Sequence, residues 1–144
     1  MASARVARLR VLAVSARLPA WAETACADYA RRMPRGYEVE RLAVKDEARA
    51  LAALPALRTK GSKLIVLDEH GAELTTARFA KLLAAPAAFV IGGADGLSEA
   101  TKAAADTMIR LSALTLPHAL AQVVLLEQMY RAATLLTGHP YHRE

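Results

Sequence analysis

At 144 residues, with 54% hydrophobic and 23% charged side chains, the chain has the composition of a globular domain with one hydrophobic core and is short for two. No run approaches the ~18 apolar residues of a membrane span, no signal peptide separates from the basic start, and the single cysteine, Cys26, excludes an internal disulfide and fits a reducing cytoplasm. The net charge of +5 is uneven: residues 1–63 hold 13 basic and 6 acidic side chains and residues 64–144 hold 6 and 8, so the first half suits a polyanion such as nucleic acid.

In chain order, Arg5–Ala13 reads as a strand. A helix over Pro19–Met33 follows, with its proline near the first turn and Trp21, Ala25, Tyr29 and Met33 on one core-facing side at spacing four. A second strand spans Gly36–Val44. Asp46 caps a helix from Glu47 towards Arg58, which Pro55 is expected to kink or divide. Ser62–Asp68, Ala87–Ile91 and Thr107–Ala113 carry more continuous apolar runs, the pattern of parallel strands covered on both faces. Between them, Thr75 or Thr76 caps a helix over Ala77–Ala84 with Phe79, Leu82 and Leu83 turned inward, and Ser98 caps a short one over Glu99–Asp106. Pro117 opens the longest helix, to about Thr137, and Gly138 stands at its stop position.

The alternation predicts a single-domain α/β fold over residues 1–144, a parallel sheet with crossover helices. Ligands of such folds bind in loops beyond the carboxyl ends of strands, here the loops after Leu67, Ile91 and Leu111. Neither a Gly-x-Gly-x-x-Gly fingerprint nor a phosphate-cradling P-loop is present, and no Gly-x-Ser-x-Gly elbow. His139 and His142 lack partners at metal-ligand spacing, so no metal is expected. Asp68, Asp95 and Glu127 are too scattered for paired-carboxylate hydrolysis.

Four short blocks remain. Gly92-Gly93 with Gly96 permits tight turns and close backbone approach to a ligand, or makes a plain structural turn. Ser112–Pro117 offers backbone N–H and C=O groups with few charges, suiting a flat neutral ring such as adenine, or is a buried connection. Arg131 follows Glu127 by four residues, the spacing of a helix-surface ion pair. The tail His139-Pro140-Tyr141-His142-Arg143-Glu144 is rich in hydrogen-bonding side chains where most chains fray, and reads as docked.

In this order and register the blocks are similar to one family. Gly92-Gly93 with Gly96-Leu97-Ser98, Leu111-Ser112-Ala113-Leu114-Thr115-Leu116-Pro117-His118, Tyr130-Arg131-Ala132 and the terminal His-Pro-Tyr-His-Arg-Glu resemble the bacterial methyltransferases of the SPOUT class that modify N3 of a pseudouridine in large-subunit (23S) ribosomal RNA. The resemblance covers essentially the whole chain. It implies a C-terminal trefoil knot, which general rules of chain topology count against. It also implies S-adenosylmethionine as cofactor, bound by Leu67, Gly93, Ser112, Ala113, Leu114, Thr115, Leu116 and Pro117. Further implications are an RNA-side and catalytic set of His118, Arg131, Tyr141, His142 and Arg143, a homodimer with a composite site, and a cytoplasmic enzyme acting on 23S ribosomal RNA or the ribosome. Two departures stand out: Gln122 occupies a position where relatives often have arginine, and the stretch between Val44 and Ser62 is short.

Reach supports a shared site. A helix from about Ala119 to Thr137 is roughly 28 Å long, and six tail residues span at most about 20–22 Å. The tail is therefore expected to serve a partner's Ser112–His118 loop, and one arrangement takes Arg131 from one subunit and the tail from the other. An apolar face with Leu120, Val123, Val124 and Met129 is expected at the interface. The alternatives are a non-catalytic RNA- or ribosome-binding protein on the same scaffold, and a generic nucleotide-binding α/β enzyme, which the missing phosphate loops argue against.

Overall fold

Five apolar strands pair in parallel: β1 (Leu9–Val14), β2 (Val39–Val44), β3 (Lys63–Glu73), β4 (Ala87–Ile91) and β5 (Thr107–Arg110), in the order β2-β1-β4-β3-β5. The computed structural model describes residues 8–14, 17–57 and 61–143, without the side chains of His142 and Arg143. The expected start of the first strand at Arg5 and the helix end at Arg58 lie outside the described residues.

Because side chains alternate across a strand, each buried strand serves two cores. Leu9, Val11, Ile65, Leu67, Phe89 and Ile91 face α1 (Ala20–Arg32), α3 (Thr76–Leu82) and α5 (His118–Thr137). Leu12, Val14, Leu64, Val66 and Val90 face the other side, where α2 (Glu47–Leu57) brings Ala50, Leu54 and Leu57, and α4 (Glu99–Ala103) lies between Leu97 and Ala104. β5 pairs with β3 at one edge, yet α5, which follows it, returns across the sheet to pack on α1 and α3.

Several boundaries move. β2 begins at Val39 rather than Gly36, because Gly36 (φ +92°) turns the chain and donates its N–H to Glu38. α4 stops at Ala103, and Asp106 then ties β5 to β3 by accepting from Leu64 N–H at 2.7 Å. β5 ends at Arg110, which releases Leu111–Pro117 as a loop. Pro55 sits in the last turn of α2, so it removes one hydrogen bond near the end and the helix is not divided. In α1 the inward side is built from Ala22, Cys26 and Met33, with Tyr29 partly buried, whereas Trp21 is 56% exposed.

β3 runs past Asp68. Ile109 of β5 is paired with both Leu67 and Ala72, so Asp68–Gly71 bulges outward and the strand resumes. Gly71 permits this: a Cβ there would lie 2.5–2.7 Å from three backbone atoms of Ile109.

Candidate functional site

All five strands are parallel, so their carboxyl ends share one edge of the sheet. Over the ends of β4, β3 and β5 lies a cleft of about 790 Å³, within the usual range for small-molecule sites. Its walls come from the three expected loops. One is Leu67–His70, the bulge of β3. The second is Ile91–Leu97, and the third Leu111–Pro117 with His118 and Ala121 of α5.

The Ile91–Leu97 loop is tightly folded. Gly92 sits against the far side of its own turn, where a Cβ would come within 2.9 Å of the Gly96 carbonyl carbon and 3.0 Å of Leu97 Cγ. Its far end is pinned from α2. The Glu47 carboxylate accepts from Ser98 N–H at 2.5 Å and from the Thr101 hydroxyl at 2.8 Å. Burial opposes ionisation of Glu47, but these hydrogen bonds and nearby Lys102 outweigh it and hold the carboxyl below its ordinary 4.5. A depressed folded-state value gives stability above the unfolded value that is lost as pH falls through the folded one. Glu47→Gln is therefore expected to lower the melting temperature at pH 7, with the difference from wild type shrinking as pH falls below 4.5 and through the lowered folded-state value. Calorimetric scans across pH check this, and a constant difference down to pH 3 would overturn it.

Of the residues the resemblance assigns to the cofactor, Leu67, Gly93, Ser112, Leu114, Thr115, Leu116 and Pro117 line the cleft. Ala113 does not, being at the exposed tip of its loop. The Ser112 hydroxyl accepts from Leu114 N–H at 2.9 Å, which shapes that tip. Of the charged lining residues, Glu69, Lys102 and Arg110 were not singled out from sequence, and Asp68 and Asp95 were weighed only as hydrolytic carboxylates. Asp68 directly follows Leu67, so the strand-end rule that picked Leu67 already pointed to it. Burial of Asp68 opposes its charge, yet hydrogen bonds from His70 N–H and Lys102 keep the carboxyl below its ordinary range. Arg110 places one terminal nitrogen 2.8 Å from Glu73, and its buried Nε has no partner among the described residues.

The catalytic candidates divide into two groups. His118, the first residue of α5, lines the cleft. Arg131 and Tyr141 sit together near the other end of the helix, away from the cleft of their own chain. The chain turns at Gly138, His139 N–H bonds to Thr134 O at 2.9 Å, and a 3₁₀ turn over Pro140–Arg143 lays Tyr141 back on α5. There the Tyr141 hydroxyl donates to Glu127 at 3.0 Å, Arg131 pairs with the same carboxylate at 2.9 Å, and the guanidinium lies 4.9 Å from the centre of the Tyr141 ring. Tyr130 stacks obliquely on that ring, with centroids 4.6 Å apart. Burial, then hydrogen bonds with Tyr29 and Glu127, push the Tyr141 phenol well above its ordinary value. It is therefore a neutral donor, not a base. The side chains of His142 and Arg143 lie outside the described residues.

Two expectations change. Arg131 and Tyr141 are partners within one chain, so the arrangement that takes Arg131 from one subunit and the tail from the other does not fit. On the expected interface face, Met129 is fully buried in its own core and Val123 and Val124 are half-buried; Leu120, Leu135 and Leu136 are the exposed apolar residues of α5. Among the described residues no group of His, Cys, Asp or Glu is arranged to hold a metal, and no helix is long and apolar enough to cross a membrane.

A family model described as "Predicted SPOUT methyltransferase" matches residues 7–142. The chain is 47% identical to the ribosomal RNA large subunit methyltransferase H of Methylibium petroleiphilum, over 95% of this chain and 99% of that protein. It is 48% identical to the protein of the same name from Variovorax paradoxus, with the same coverage. Among solved structures, a probable methylase family protein from Haemophilus influenzae superposes with a TM-score of 0.63 at 14% identity, over 94% of this chain and 70% of that one. The SpoU methyltransferase AviRb from Streptomyces viridochromogenes, solved with its cofactor AdoMet, gives 0.51 at 18% identity, over 85% and 56%. Likeness at this identity speaks to the fold.

Proposed function

The chain belongs to the SPOUT methyltransferase family, an α/β-knot fold, and from that premise we propose that it methylates N3 of a pseudouridine in 23S ribosomal RNA of the assembled ribosome. Its coarser activity is that of an S-adenosylmethionine-dependent ribosomal RNA methyltransferase. The observation that carries the reading is the cleft over β4, β3 and β5. Seven of the eight expected cofactor residues meet in it. Leu67, Gly93, Ser112, Leu114, Thr115, Leu116 and Pro117 would hold it, with backbone groups of the Leu111–Pro117 loop around the adenine. A cytoplasmic location goes with this substrate.

When bound, S-adenosylmethionine supplies an already activated methyl group, so the protein's task is alignment. His118, at the cleft wall, is the group nearest the cofactor loop that can accept the N3 proton. Guanidinium groups of Arg131 and Arg143 would stabilise the charge that the ring oxygens gain as the proton leaves. Electrostatic stabilisation by arginine carries the larger share in this reading, because an imide needs little further help once cations surround it.

The geometry favours a homodimer. Along α5, His118 and Arg131 are 13 residues apart, about 20 Å at 1.5 Å per residue. A site using both takes the cleft and His118 from one subunit and Arg131 with the tail from its partner. Exposed Leu120, Leu135 and Leu136 along α5 suit the contact.

Incubating the protein with ribosomes and labelled cofactor, then locating the new methyl group by mass spectrometry, tests the assignment. Methylation of a uridine or of a ring carbon, or none at all, would overturn it. His118→Gln is expected to keep the single-turnover rate within about tenfold of wild type, whereas a loss of about 100-fold would make His118 the essential base.

A further inference from the structure

A second cleft, of about 660 Å³, lies on the same edge of the sheet over the ends of β1 and β2, and no role has been given to it. The strand order β2-β1-β4-β3-β5 sets it beside the cofactor cleft. The first turns of α5 stand between them: His118 and Ala121 line the cofactor cleft, and Gln122, one residue on, lines the second. The two clefts are therefore neighbours across the start of α5.

Its walls have a definite chemistry. Arg41 and Glu23 form a two-pronged pair, 2.9 Å on each arm, and offset each other's charge. Arg17 and Lys45 also line the cleft, both are exposed, and neither is paired with a carboxylate among the described residues. Gln122, only 3% exposed, brings an amide to the wall. Trp21, on the first turn of α1, is not part of the cleft wall itself, although Leu18 and Glu23 on either side of it in sequence are. It turns 56% of its surface outward although helix periodicity assigns it to the core. Two uncompensated cations, an amide and an exposed indole are the groups that hold a single-stranded nucleotide: phosphate by charge, base by stacking and by hydrogen bonds to its edge.

We propose that this second cleft is the nucleotide-binding subsite of the enzyme, with Arg17 and Lys45 holding RNA phosphates that flank the target base and Trp21 stacking on a neighbouring base. The proposal rests on the reading of the first cleft as the methyl-donor site.

The test compares wild type with Arg17→Ala/Lys45→Ala and with Trp21→Ala and Trp21→Phe, using ribosomes as methyl acceptor and oligouridylate as a simple probe. Melting temperature and sedimentation are run first as controls. The double variant should bind S-adenosylmethionine within about twofold of wild type by calorimetry. Its KM for ribosomes should rise tenfold or more with kcat little changed, and the salt slope of oligouridylate binding should drop by about 1.4, two phosphate contacts at about 0.7 each. Oligouridylate should quench the fluorescence of Trp21, the single tryptophan, and Trp21→Phe should retain most of the affinity that Trp21→Ala loses. An unchanged KM and salt slope with normal cofactor binding would overturn the subsite and leave the methyltransferase reading intact. Dissociation of a dimer by Trp21→Ala would also overturn it, assigning that surface to a subunit contact. Failure of wild type itself to bind S-adenosylmethionine would instead defeat the underlying reading.

Discussion

Gly71→Ala is expected to lower the melting temperature by about 10 °C and to weaken S-adenosylmethionine binding at the same time. The added Cβ meets the N, Cα and C atoms of Ile109, all closer than 2.8 Å, and Ile109 is a buried residue of β5 whose backbone cannot rotate away. Overpacking of this kind costs about 3 kcal/mol, which for a chain of this size corresponds to roughly 10 °C. The cofactor effect follows from position. Asp68, Glu69 and His70 occupy the bulge that Gly71 closes, and all three line the cleft proposed for the cofactor. Lifting the second half of β3 from β5 moves that wall, and with it the Asp68–Lys102 pair. Thermal scans and calorimetric titration of the same preparation measure both effects. Unchanged values would mean that β3 does not continue past the bulge.

That continuation was invisible in the sequence, and the reason is physical. Asp68-Glu69-His70-Gly71 has the composition of a turn, and only the approach of Gly71 to Ile109 turns it into a strand resuming after a bulge. The strands themselves were legible because burial on both faces demands apolar runs, and four of the five strand ends fell within a few residues. Trp21 shows the converse failure. Spacing of four marks a helix face but not which face turns inward, and α1 buries the small residues Ala22 and Cys26 instead. An indole on the outer side carries no periodic mark.

The residues of the candidate site were legible to different depths. The cleft loops follow from a general rule about strand ends, and the family resemblance supplied the ligand proposed for them. Lys102 and Arg110 were missed, and Asp68 was set aside as a scattered carboxylate, because each reads as an ordinary surface charge until the fold brings three strand ends together. The tail read as docked, but its seat was not legible: Tyr141 meets Glu127 fourteen residues back only because the chain reverses at Gly138. The ion pair of Glu127 and Arg131 was expected from spacing of four, whereas its third member, Tyr141, was not.

The seating of Tyr141 changes what a complementation experiment should show. Arg131→Ala removes the guanidinium over the Tyr141 ring and should reduce methyl transfer by about 10²–10³-fold if that charge stabilises the reacting ring. Removing residues 142–144 damages the same half of the site while sparing Tyr141, which is partly buried against the core. Gly92→Val damages the other half, because its side chain collides with Gly96 and Leu97 at the cleft wall. In a composite site, a mixed dimer of Gly92→Val with Arg131→Ala has one site with both defects and one with neither. Random mixing in equal amounts should then restore about a quarter of wild-type activity, since half the dimers are mixed and each has one intact site. A mixture of Arg131→Ala with the chain lacking residues 142–144 should restore nothing, since every site retains a defect in the tail half. Recovery in the second mixture would mean that Arg131 and the tail serve different sites despite their contact within one chain. No recovery in the first, with mixed dimers shown to form, would place the cleft and the tail of each site in the same subunit.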